Sequence, residues 1–183
     1  MNRSSNSELC GPLQDWLESL PQTMPLTATT DSPLVEGKRL EHWLAVSNLP
    51  ADSLVAALLW LRIGVIDPTH EIVQRGSTSM EGYLHGVVHR LAGVYWNSNY
   101  WFKQVRDSPL LQSLSKSMQQ KLHDAGLTSI AASLKIFKSN KFEPTELVAA
   151  IENQVKQIDR DSYAVNNMER ICWLEWSSLW EIV

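Results

Sequence analysis

Cysteine is scarce, with two in 183 residues, Cys10 and Cys172. Two thiols make no disulfide framework and give no sign of an oxidising compartment. No Lys/Arg-rich run occurs and the formal net charge is −4, so the chain lacks the electrostatic footprint of a partner for nucleic acid or anionic membrane. No apolar run approaches the ~20 residues of a membrane span. The opening MNRSSNSELCGPLQDW has no apolar core of signal-peptide character, and the expected compartment is the cytoplasm. Also missing are a Gly-rich phosphate loop, an HExxH helix, a cysteine pair with metal spacing and a Gly-x-Ser-x-Gly elbow. No period-two alternation bounded by turn pairs is found, which removes the signal for strands.

What is present fits an ordinary soluble globule: 44% hydrophobic and 20% charged residues. The length suits one domain over residues 1–183. Eight tryptophans are many for this length, and they imply large aromatic anchors in a core or a groove.

In chain order, residues 1–7 are polar and are expected to form a flexible end. Leu9, Leu13, Trp16, Leu17 and Leu20 then recur at helical spacing. The run 21–33, PQTMPLTATTDSP, has three prolines and reads as a loop, with the character of a mobile arm. Leu40, Trp43 and Leu44 mark a helix over 36–46. Asp52 or Ser53 can cap the next, LVAALLWLRIG, which is apolar nearly all round and so should be central. Asp67 is placed to cap a short helix with Pro68 at its first position. After Pro109 come a helix ended by Gly126, another over 129–137, a turn at SNKFEP, and a helix opened by Pro144. The last helix, MERICWLEWSSLWEIV, gathers Met168, Ile171, Cys172, Glu175, Leu179 and Ile182 in one sector. The prediction is an all-α fold, about eight helices in antiparallel hairpins around a central helix at about 80–92.

That central helix lies in STSMEGYLHGVVHRLAGVYWNSNYWFKQV, residues 77–105. At 100° per residue, Leu84, Val87, Val88, Leu91 and Ala92 form an apolar sector, while Gly82, Gly86 and Gly93 form a strip almost without side chains. Interior glycines cost roughly 1 kcal/mol each, and close approach of another backbone is the usual compensation. His85 and His89 lie between the two sectors, and only Tyr83 and Arg90 point away from both. Gly93 suits a left-handed cap, after which 95–105 should fold back as a second helix.

The spacing of Gly86, Gly93, Tyr95, Ser98, Phe102 and Val105 resembles one tetratricopeptide hairpin, although His85 and His89 occupy its leucine and aromatic packing positions. Residues 55–105 and part of the last helix also resemble a family of uncharacterised, mostly bacterial proteins. The shared features are Leu59 and Trp60; Asp67, His70, Glu71 and Gln74; His85, Gly86, His89 and Arg90; Asn97, Tyr100, Trp101 and Phe102; and Glu175 with Trp176. The resemblance implies no defined activity. In that family His-Arg is followed by Arg-Glu-Gly-Asp, whereas here Leu91, Ala92, Gly93 and Val94 follow; if the charges serve a reaction in relatives, this chain is an altered or inactive version.

Three readings of the polar residues stand side by side. In the first, His85 and His89, at i and i+4, share a divalent metal such as zinc, iron or manganese, with His70 or Glu71 as third ligand. Glu81 shares the face, but the rise from Glu81 to His89 is about 12 Å, so one ion cannot take all three. A related version has a polar pocket of His70, Glu71, Gln74 and the two histidines binding a small molecule, with Glu71 or Glu175 orienting a histidine as acid or base and Arg90 holding an anion. In the second reading the histidines are neutral core residues hydrogen-bonded to Glu71, Gln74, Asn97, Asn99 or carbonyls. In the third the chain is an interaction module in which Trp96, Tyr100 and Trp101 form a groove for a protein partner.

Overall fold

Hydroxyl side chains start the best-defined helices at the points where apolar periodicity begins. The computed structural model describes residues 11–28, 33–47, 49–157 and 161–183. Leu9, Cys10 and the polar end 1–7 lie outside them. Among the described residues there are ten helices and one minimal hairpin: α1 (Gly11–Ser19), α2 (Pro33–Val46), α3 (Leu54–Arg62), α4 (Asp67–Val73), α5 (Ser79–Leu91), α6 (Tyr95–Gln104), α7 (Pro109–Asp124), α8 (Thr128–Ser133), β1 (Phe137–Lys138), β2 (Lys141–Phe142), α9 (Pro144–Lys156) and α10 (Ser162–Ile182). The fold is all-α. No helix among these is long and apolar enough to cross a membrane.

Ser53 caps α3 by accepting from the Ala56 amide, and Thr78 and Glu81 form a reciprocal capping box at the start of α5. Glu81 is therefore committed to the helix end, which lowers its pKa through the Thr78 hydroxyl and amide. Asp67 is the first residue of α4 rather than its cap, because Ile66 is already helical in conformation. Helix α8 ends at Ser133, earlier than its spacing predicts. Lys135 adopts φ +57° there, and the chain passes into the β1–β2 hairpin, whose turn residues Ser139 and Asn140 also have positive φ. Strands of two residues are too short to leave a period-two pattern.

Helix α3 explains its apolar character by facing two cores. Ala57, Leu58 and Leu61 join the main cluster with α5, α6, α7, α9 and α10, while Val55, Ala56, Leu59 and Trp60 pack with Leu13, Trp16, Leu40 and Leu44 of α1 and α2. Between α1 and α2, residues 21–28 do not stand off as an arm. Met24 and Leu26 are buried, the Arg62 guanidinium donates to the carbonyls of Pro21 and Thr23, and the amides of Met24 and Ala28 reach Glu169 and Leu91 carbonyls. Two apolar side chains and a buried donor outweigh the loop-forming composition.

Helix α5 packs against α3, α4 and α6. It ends in a Schellman cap: the Val94 amide reaches the His89 carbonyl and the Gly93 amide reaches Arg90, with Gly93 at φ +73°. The turn sends α6 back antiparallel along the glycine strip. A Cβ on Gly86 would lie 2.8 Å from Phe102 Cε1, and one on Gly82 would lie 3.0 Å from Val105 Cγ1. Ser98 Oγ donates to the Gly86 carbonyl at 2.7 Å across the same seam.

Gly86→Ala should therefore destabilise the protein although alanine is the better helix former. Phe102 is fully buried and has little room to retreat; overpacking of about 1–3 kcal/mol should exceed the gain of roughly 1 kcal/mol in propensity. A denaturant midpoint equal to or above that of the wild type would show that α6 can shift to make room.

Candidate metal centre

Three helices bring the histidines together. His70 comes from α4, His85 and His89 lie one turn apart on α5, and α6 closes the group from the glycine side. One ring nitrogen from each of His70, His85 and His89 lies within 4.8 Å of the others, and among the described residues no cysteine or carboxylate joins this set. The His70 and His85 Nε2 atoms are 3.0 Å apart, and the His85 and His89 rings are stacked with centroids 4.8 Å apart.

Residues of α6 orient the two α5 rings. Trp101 stacks on His85 at 4.1 Å between centroids, and the Asn97 side-chain amide lies 2.9 Å from His89 Nε2. With the amide nitrogen donating, His89 Nε2 carries the lone pair. Nδ1 of His85 is buried without a hydrogen-bond partner. Burial, and then the neighbouring His89 and His70, push the His85 pKa down to about 4; burial and His70 also lower that of His89. At neutral pH these two rings are uncharged, the protonation state in which imidazole ligates a metal, although the Asn97 amide occupies the lone pair of His89 Nε2.

The predicted partners of the histidines separate into two groups. His70 and Asn97 join the site. Glu71 and Gln74 are exposed, and neither side chain hydrogen-bonds a histidine; Glu71 instead borders a surface cleft with Trp60 and Pro68. Glu175 orients no histidine. Arg90 departs furthest from expectation, since it cannot hold an external anion. Its guanidinium is 2% exposed and paired in both branches with Glu175, itself 1% exposed, and the Tyr83 hydroxyl donates to the same carboxylate. Tyr83 and Arg90, the two residues pointing away from both sectors of α5, thus meet α10 rather than water. Burial, reinforced by the Glu175 charge, raises the Tyr83 pKa well above its ordinary value. Cys172 is also buried, which pushes its thiol up to about 12 and marks it as core rather than nucleophile.

The expected aromatic groove also divides. Trp96 and Tyr100 are 75% and 53% exposed, one turn apart on α6, whereas Trp101 is half-buried over His85 and belongs to the histidine site. Spacing on α6 alone cannot reveal that stack, because the ring it covers lies on another helix. The Arg90–Glu175–Tyr83 cluster had a fainter signal: a helix packed on every side leaves no solvent face for its polar residues, and Glu175 sits in the apolar sector of α10.

Comparison with protein-family models, with curated proteins and with solved structures finds no match to this chain. The family resemblance rests on its motif residues alone.

Two consequences are measurable. Glu175→Ala leaves the Arg90 charge buried and unpaired, and should cost about 3–5 kcal/mol in equilibrium unfolding; a loss below about 1 kcal/mol would mean that water reaches Arg90. For the metal-free protein, the folded pKa of His85 lies below the unfolded one, so the unfolded chain takes up a proton that the native state refuses. Stability is then fully present above the ordinary pKa of 6.5 and falls as pH drops toward about 4. The groups facing this ring are His70, His89 and the uncharged Trp101. The fall in thermal midpoint over this window should be shallower in His85→Gln; an identical slope would assign the pH dependence elsewhere.

Proposed function

We propose that the chain is a cytoplasmic metal-binding protein in which His70, His85 and His89 hold one divalent transition metal. The observation that carries this reading is the convergence of three imidazoles from two helices, with ring nitrogens no more than 4.8 Å apart. Tetrahedral ligation at 2.0–2.1 Å separates imidazole nitrogens by about 3.3 Å. The 3.0 Å contact between His70 and His85 is close to that value, and the wider separations, up to 4.8 Å, would shorten when an ion is bound. A set of three imidazole nitrogens suits zinc or iron better than manganese, which favours oxygen ligands. It also leaves the fourth position to water or to a ligand atom, an arrangement in which zinc acts as a Lewis acid and lowers the pKa of bound water to about 7.

A purely structural role for the histidines fits less well, because His70 and His85 meet ring to ring, at 3.0 Å between Nε2 atoms, with no carboxylate or cysteine among the described residues joining the set. A second reading, an interaction module, is favoured by the exposure of Trp96 and Tyr100 on the outer face of the repeat-like hairpin. It predicts loss of a partner on Trp96→Ala with the histidines dispensable.

Elemental analysis of gently purified, untagged protein tests the proposal. We expect near-stoichiometric zinc or iron that is lost in His85→Ala and in His89→Ala while far-UV circular dichroism stays helical. Added zinc at about 100 times its Kd should stabilise the metal-free wild type by about 2.7 kcal/mol and neither mutant. No bound metal, together with no stabilisation by zinc or iron(II), would end the metal reading.

A further inference from the structure

On the opposite side of α6 from the histidines, a cavity of about 450 Å³ lies between α6, the β1–β2 hairpin and the start of α9. This volume falls within the range of small-molecule sites. Its lining has two parts. Phe102, Leu111, Phe137 and Pro144 supply an apolar floor, and Lys103, Arg106, Lys135 and Lys138 contribute four cationic side chains against the two carboxylates of Glu143 and Glu146. Arg106 is partly engaged by Glu143 at 3.8 Å. Among the described residues, Lys103, Lys135 and Lys138 make no side-chain hydrogen bond or ion pair. In a chain with net charge −4, four cations against two carboxylates leave the lining of this cavity with a local excess of positive charge.

The backbone at Lys135 adds an independent observation. The turn after α8 is a Schellman cap, in which the Ile136 amide reaches the Ala131 carbonyl and the Lys135 amide reaches Ala132. The caps after α5 and α7 have the same pattern, and both place glycine at the left-handed position, Gly93 and Gly126. The third places a lysine there, at φ +57°. A side chain disfavours that conformation, so the fold itself gains nothing from lysine at this position. What lysine adds is a charge at the mouth of the cavity.

We propose that this cavity binds a small organic anion in which a phosphate monoester is carried on a flat apolar body. The body would rest on the half-buried Phe137 ring, and the phosphate would meet Lys103, Lys135 and Lys138 beside the Thr145 hydroxyl. Two negative charges match the uncommitted ammonium groups better than one, and an apolar floor distinguishes the ligand from free phosphate.

Isothermal titration of the full chain with phenyl phosphate, inorganic phosphate and benzoate tests the proposal. We expect saturable binding of phenyl phosphate, at least about tenfold tighter than either comparator, since each contributes only half of the recognition. Lys138→Glu should weaken phenyl phosphate by about tenfold or more. Lys135→Gly should raise the thermal midpoint while also weakening binding, a combination that a purely structural lysine would not produce. His85→Ala should leave the affinity unchanged, which separates this site from the histidine centre. Failure of phenyl phosphate to saturate at millimolar concentration, equal affinity for inorganic phosphate, or indifference to both lysine substitutions would each overturn the assignment.

Discussion

The structure depends on how closely α6 lies against α5. Gly82 and Gly86 remove the side chains that would hold the helices apart, and Phe102, Trp101 and Val105 occupy the vacated space. Both candidate sites inherit their geometry from this seam. Trp101 can reach across to stack on His85, and Asn97 can reach His89, only because the α6 backbone lies near the α5 surface. Next to Trp101 in the chain, Phe102 fills the groove above Gly86 and also lines the cationic cavity. The conformational cost of interior glycine is offset at the point where α6 comes closest.

A helix buried on every side must find a partner for each of its polar groups, and α5 does so in two ways. Toward α10, Arg90 and Tyr83 converge on the Glu175 carboxylate, so that charge is neutralised and hydrogen bonds are made in a dry interior. Toward α4, His85 and His89 meet a third imidazole, that of His70, and the buried Nδ1 of His85 has no hydrogen-bond partner. The first cluster is self-sufficient, joining α5 to the last helix. The second gathers one ring nitrogen from each of three histidines within 4.8 Å, which is why the functional reading rests on it and not on the stronger ion pair.

Much of the local architecture is legible in the residues. The cap at Ser53, the turn at Gly93, the helix opened by Pro144 and the all-round apolar α3 follow from propensity and periodicity, because these effects act within a few residues. The same reasoning read residues 21–28 correctly as a loop but misjudged their attachment. Three prolines in 21–33 suggest a free loop, but Met24, Leu26 and the carbonyls that accept from Arg62 fasten it to the core. It also overlooked the β1–β2 hairpin, whose paired residues are too few to carry a pattern.

The sequence by itself determined the helical class, the place of α5, and the pairing of His85 with His89 on one face, since all three follow from a period of 3.6 residues and from short-range capping. Tertiary structure alone decided which of the remaining polar residues share a site. His70 turns toward the pair while Glu71, its neighbour in the chain, turns to the surface; Arg90 is withdrawn into an ion pair with a residue 85 positions away. The physical reason is that helical periodicity sets the azimuth of a side chain on its own helix, whereas the azimuth of the helix itself is set by packing against partners distant in the chain.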